Sequence, residues 1–147
     1  MTKTRGSWVN IGLLLYIPYR ELENRIMAAV TAAGYDVTLA QARVLQRIGP
    51  SGTRLTELAE AAQVTKQTAG FLVDQLEKAG YVERVPDPTD GRARLVRVTE
   101  KAQGAMPVAD EEMARIEAEW ERHIGKRRMG QLREALEQLG EITDPYR

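Results

Sequence analysis

Apolar residues recur at three- and four-residue steps through most of this chain and change to alternation in one place, between Tyr81 and Val98. The first helical stretch runs from about Trp8 to Ala33, with Ile11, Leu15, Leu22, Ile26, Ala29 and Ala33 along one stripe and Pro18 in the middle. Proline lacks the amide donor, so a kink or a division into two helices is expected there. Gly34 is the stop. Leu13, Leu14, Tyr16 and Ile17 make the first half apolar almost all round. That is the pattern of a helix buried on several sides, which a monomer's terminal helix seldom is.

A second helix begins at Thr38, whose spacing to Gln41 suits a capping box. Its expected buried face is Leu39, Ala42, Leu45 and Ile48, and Gly49-Pro50-Ser51-Gly52 ends it. Thr56 is the expected cap of a short helix, Glu57 to Ala62, with Leu58, Ala59 and Ala62 inward. Gln63 and Val64 turn the chain. Thr65 then caps a helix from Lys66 to Ala79 that turns Ala69, Leu72, Val73 and Leu76 to the core, closed by a left-handed Gly80. Tyr81 to Val85 reads as a strand, Pro86 to Gly91 as a hairpin tip and Arg94 to Val98 as the return strand, with Val96 and Val98 facing the core. From Thr99 one long helix is expected to reach Gly125, bent near Gly104 and Pro107. Its Met106, Ala109, Met113, Ile116 and Trp120 keep the spacing of a coiled-coil seam. Met129, Leu132, Leu136 and Leu139 repeat that spacing in a last helix, and residues 144–147 read as a frayed end.

Composition narrows the class. At 147 residues the chain is one domain with appended helices and can bury a core without staples. Without cysteine it has no disulfide, thiolate metal site or cysteine redox sensor, and one histidine, His123, makes an all-protein zinc site improbable. Asp87 and Asp90 lack the further acidic ligands of a calcium loop. The apolar run Ile11 to Tyr19 is too short to span a bilayer, which needs roughly 20 apolar residues, and no leader cleavage site follows it. A cytoplasmic protein is expected. Net charge is zero, yet residues 38–99 hold nine bases against seven acids. The polarity is weak, but its sign suits nucleic acid.

Two short helices at a tight turn are a standard way to press one helix into the DNA major groove. Thr65, Lys66, Gln67 and Thr68 open the second of them. Gln67 can pair two-pronged with adenine, Lys66 can reach guanine or phosphate, and the threonines suit a helix N-terminus that favours anions. Some of the four can equally serve as caps. On the hairpin, Asp90 is placed to steady Arg92 or Arg94 through a charge-assisted bond. The simpler reading of those charges is a hairpin edge that deters aggregation.

The stretch LTELAEAAQVTKQTAGFLVDQLEKAGYVER and the hairpin DPTDGRARLVRVTEKA together resemble the MarR family of bacterial winged helix-turn-helix regulators. The block Asp87 to Arg92, continuing through Arg94 to Thr99, carries most of the specificity. The resemblance implies a mainly α fold with a small β-hairpin wing: an N-terminal dimerisation region (1–37), a winged helix-turn-helix (38–99) and C-terminal dimerisation helices (100–147). It further implies a homodimer that binds double-stranded DNA at pseudo-palindromic operators, usually as a repressor. One wing arginine would enter the minor groove, whose narrow tracts attract arginine. The chain departs from the pattern at Gly70 and Phe71, where relatives commonly carry a polar and a basic residue. Gly70 costs about 1 kcal/mol relative to alanine in a helix, which a close backbone approach would offset. Phe71 is read first as an aromatic packed on the wing, and alternatively as a contact to a thymine methyl.

The family often takes small aromatic effectors in a crevice between dimerisation helices and DNA-binding lobe. The residues that would suit such a crevice here are Trp8, Tyr16, Tyr19, Arg20 and Trp120, all of which fit an interface core equally well. A winged-helix protein-interaction module is the competing class. No nucleophile–histidine pairing, metal spacing or phosphate loop suggests an enzyme, and no cofactor is expected.

Overall fold

The computed structural model describes residues 9–144. Trp8 and the end of the expected frayed tail lie outside them. Helix α1 spans Ile11–Ala32, with Asn10 as its cap accepting the Leu13 amide. Pro18 sits inside it and the helix is not divided. A proline removes one rung of the ladder, and the rungs on either side carry the helix across. The apolar first half is not buried in the single chain: Ile11, Leu13, Leu14, Leu15, Tyr16, Ile17 and Tyr19 are all exposed.

Helix α2 spans Leu39–Leu45 and has the complete Thr38/Gln41 capping box. Its buried residue is Val44, which the spacing argument missed. Leu39, Ala42, Leu45 and Ile48 are half-buried around a cavity instead. Helix α3 spans Leu55–Ala61, starting earlier than expected, and its cap position is Arg54 without a side-chain cap. The backbone explains the shift. Thr53 forms a reciprocal bridge with Val96, 2.9 and 2.8 Å, and Arg54 is still extended, so the helix begins directly after it at Leu55. Helix α4 spans Lys66–Lys78 and buries Ala69, Leu72, Val73 and Leu76 as expected, with Gly80 left-handed beyond it.

Strands β1 (Val82–Asp87) and β2 (Asp90–Val98) form an antiparallel hairpin in which Val82 faces Val98 and Arg84 faces Val96. The strands run further toward the tip than expected. Asp87 accepts both the amide and the hydroxyl of Thr89, which tightens the turn to Pro88 and Thr89. Beyond β2 the expected long helix is two: α5 (Glu100–Gln103) and α6 (Met106–Ile124). A Cβ at Gly104 would lie 2.6 Å from the Tyr35 hydroxyl, so the joint requires glycine. Pro107 falls in the first turn of α6, where a missing amide costs little. Helix α7 spans Lys126–Thr143 and buries none of its residues.

The core is one cluster in the central lobe. Val44, Leu58, Val73, Leu76, Tyr81 and Val96 pack together there, and the Tyr81 hydroxyl accepts the Asp36 amide at 3.1 Å. Outside it, α1 lies along α6, where Ile116 is fully buried and Arg25 bonds Glu112 and Glu119. The rest of the expected α6 seam is looser, with Ala109, Met113 and Trp120 half-buried and Met106 exposed.

Gly52 has φ +94, and a Cβ there would meet Leu95 Cβ at 3.0 Å and the Val96 carbonyl at 3.3 Å. Gly52→Ala should therefore lower stability by about 1–3 kcal/mol, measured by denaturant titration. Gly91→Ala, at an open position, should change it far less.

Candidate nucleic-acid interface

The outer surface of α4 begins at its cap. Thr65 accepts the Thr68 amide at 3.0 Å and its hydroxyl donates to the Thr68 hydroxyl at 2.9 Å. Thr65 is thereby committed to capping, while the Thr68 proton remains able to donate outward. Lys66 and Gln67 follow, both exposed, and among the described residues Lys66 makes no ion pair. Phe71 is 61% exposed, one turn beyond Gln67 on the same face. It does not pack on the wing as expected. The buried face of α4 is supplied instead by Ala69, Leu72, Val73 and Leu76. At Gly70 a Cβ would meet only Leu55 Cδ2, at an ordinary 3.7 Å, so packing within the chain does not demand the glycine.

Across a cleft from the start of α4 stands the wing. Arg92 and Arg94 are exposed, and neither guanidinium has a partner among the described residues. The other bases nearby are taken. Arg84 bonds Asp74 and Glu77 on α4 at 2.8 and 2.7 Å, and Arg97 pairs with Glu83 across the hairpin. The cleft, about 380 Å³, is lined by Arg54, Thr56, Lys66, Arg84 and Arg94 among others. Its free charges are thus Lys66 from the helix and Arg94 from the wing, one on each wall.

Asp90 does not steady Arg92 or Arg94. Its Oδ1 accepts the Arg92 backbone amide at 3.0 Å and its Oδ2 lies 3.9 Å from Arg54. The arginine held at the wing is Arg54, whose Nε and Nη2 reach Asp87 Oδ2 at 2.9 and 2.7 Å. Asp87 is the one buried charged residue among those described. The Thr89 amide and hydroxyl, then Arg54, stabilise its carboxylate and bring its pKa from the usual 3.8 to about 2. Sequence reasoning missed Arg54 because its partner is 33 positions away and nothing local marks it.

A larger cavity, about 740 Å³, lies between α1, α2 and the α5–α6 joint. Of the four described residues proposed for a crevice, Tyr16, Tyr19, Arg20 and Trp120, Tyr19 lines it. Tyr16 and Arg20 stack on one another at 5.7 Å elsewhere on α1, and Trp120 is half-buried away from the cavity wall. Tyr19 donates to Glu23 at 2.7 Å, and Glu23 receives Arg43 through two bonds of 2.9 and 3.0 Å. Burial and then Glu23 raise the Tyr19 pKa, while Arg43 lowers that of Glu23.

Comparison with known proteins adds the following. A family model described as the MarR family matches residues 35–93. The regulator YfiV of Bacillus subtilis, an HTH-type protein, is 30% identical over 93 residues, and the match spans 56% of this chain but only 58% of YfiV. The HTH-type regulator FarR of Neisseria gonorrhoeae is 24% identical over 149 residues, 97% of this chain and 96% of its own. Among solved structures, one of MarR superposes with a TM-score of 0.73 at 25% identity, covering 90% of this chain and 96% of that one.

The Asp87 arrangement gives an acid dependence with a definite sign. Its folded pKa is depressed, so its contribution to stability is present above the unfolded value and is lost as pH falls from about 4 through about 2. Thermal unfolding of the wild type and Asp87→Asn should differ most near neutrality. The two curves should converge across that acid window.

Proposed function

We propose that the chain, similar to the MarR family of winged helix-turn-helix transcriptional regulators, works as a DNA-binding homodimer that represses transcription from a pseudo-palindromic operator. The observation that carries this reading is the placement of unpaired cations. Lys66 at the start of α4 and Arg92 and Arg94 on the wing are exposed without acidic partners among the described residues, while Arg84 and Arg97 are neutralised. A helix N-terminus bearing Lys66 and Gln67 enters the major groove, and the wing straddles the backbone toward the next groove. The phosphates between them pass over the cleft flanked by Lys66 and Arg94.

Dimerisation is supported by the apolar surface the single chain leaves uncovered. The α1 residues Ile11 to Tyr19 and the α7 residues Leu132, Leu136, Leu139 and Ile142 are exposed, Ile142 by 84%. Patches of that extent on flanking helices mark an interface. Two-fold symmetry then sets half-sites about one helical turn apart, roughly 34–36 Å. Acting on DNA places the protein in the cytoplasm. The large cavity, lying where the flanking helices meet the DNA-binding lobe, is the natural position for a ligand that alters the spacing of the two lobes.

Changing Arg92 and Arg94 together to alanine should weaken operator binding by roughly 1–3 kcal/mol per arginine and flatten its salt dependence. Electrophoretic or anisotropy titration against salt measures both, and unchanged binding to the best promoter fragment would sink the wing assignment. Phe71 gives a second handle, because its exposure also suits a protein-interaction module. In a DNA reader, Phe71→Ala should narrow the preference for thymine over uracil at one operator position. A dimer with no salt-sensitive affinity for any DNA would favour the interaction module.

A further inference from the structure

The wall of the 740 Å³ cavity has a chemistry that restricts its occupant. It is mainly aliphatic, with Leu22, Ile26 and Met27 from α1, Leu45 and Ile48 from α2 and Met113 from α6. Tyr19 is the only aromatic ring on it among the described residues. An aromatic guest thus finds one stacking surface, whereas a flexible aliphatic guest finds walls of its own kind, part of them adaptable methionine.

Among the described residues the charges on the wall are four: Glu23, Arg43, Arg97 and Asp110. Arg43 is engaged by Glu23 through two bonds and Arg97 by Glu83. An anionic head meets in Arg43 a guanidinium whose charge is already balanced by Glu23, a side chain 12% exposed. Drawing that guanidinium fully away would cost the carboxylate its ion pair. Asp110 has no hydrogen bond or ion pair among the described residues and is exposed at the edge of the cavity. After pairing, the described residues of the wall retain one negative charge and no free positive one.

We propose that this cavity binds a lipophilic amine, an aliphatic body with a single cationic head directed at Asp110. The inference rests on the reading of the cavity as a ligand site and narrows it to a chemical class opposite in charge to phenolic or carboxylic acids. The aliphatic walls take the body, as in other apolar pockets. Selectivity comes as much from rejection as from attraction, since a carboxylate head meets Asp110 and Glu23 with both arginines occupied.

Decylamine, decanol and decanoate share a chain and differ in head, and each can be titrated calorimetrically into the intact protein below its micellar concentration. Decylamine should bind about tenfold or more tighter than decanoate. Asp110→Asn should bring decylamine down to the level of decanol and leave decanol unchanged. Ala109→Trp, which narrows the cavity, should weaken all binding. Decanoate binding as tightly as decylamine overturns the proposal. So does decylamine binding that ignores Ala109→Trp, because the amine would then be coating the exposed α1 face. Absence of binding by all three overturns both this proposal and the ligand-site reading, as when a second copy fills the cavity. Asp110-dependent amine binding that leaves operator affinity unchanged sustains the proposal and removes only the coupling to DNA.

Discussion

The contact between Arg54 and Asp87 decides what this molecule can present to a groove. A two-stranded hairpin has little stability by itself, and its tip here lies far from the core that anchors its base. Asp87 sits near that tip, 7% exposed, receiving Arg54 from the start of α3 and both donors of Thr89. One carboxylate therefore ties the wing to the helix-turn-helix and shapes the turn at the same time. The wing arginines inherit a fixed base. Arg54 stands at the cap position of α3, and as a donor-only side chain it could not cap the helix amides; its guanidinium serves the wing instead.

The same logic of occupied charges runs through the links between the lobe and its flanking helices. Arg43 on α2 reaches Glu23 on α1, and Arg47 just beyond α2 reaches Asp144 past the end of α7 at 3.0 and 3.3 Å. One pair leaves from α2 and the other from just beyond its end, and α2 is also a wall of the large cavity. Exposed ion pairs of this kind contribute little stability. They link the lobe to α1 and to the end of α7, so a guest wedged behind α2, if one binds as proposed, would act on the element that carries these links. Gly104, which admits the Tyr35 hydroxyl, permits the sharp α5–α6 joint on the other side of the same cavity.

Local chemistry was readable in the chain wherever it was local. The Thr38 capping box, the Thr65 cap, the buried stripe of α4 and the left-handed Gly80 all depend on residues within one or two turns, and each is where spacing placed it. The errors have a common origin in partners distant along the chain. Val44 is buried because α2 packs on α4, while the stripe that seemed its core face lines a cavity. The α3 start is set by Val96 bridging Thr53, and the break at Gly104 by Tyr35. Asp90 looked like the brace of the wing because it adjoins the arginines. The actual brace is Asp87, whose partner precedes the helix pair. Aromatic residues on α1 and α6 suggested a crevice from composition alone, and only Tyr19 is turned to it.

Those distinctions bear on how far the likeness to relatives reaches. The family match ends at residue 93, so it includes Arg92 and excludes Arg94. It includes Gly70 and Phe71, the positions where the recognition surface departs from the usual polar and basic pair. Gly70 is not required by packing, and Phe71 is left in water. Glycine inside a helix costs stability, and Phe71 offers an apolar surface on the outer side of α4. On the proposed reading of α4 as the helix that meets DNA, a major groove lined by thymine methyls would have the shape and the apolar surface to approach both.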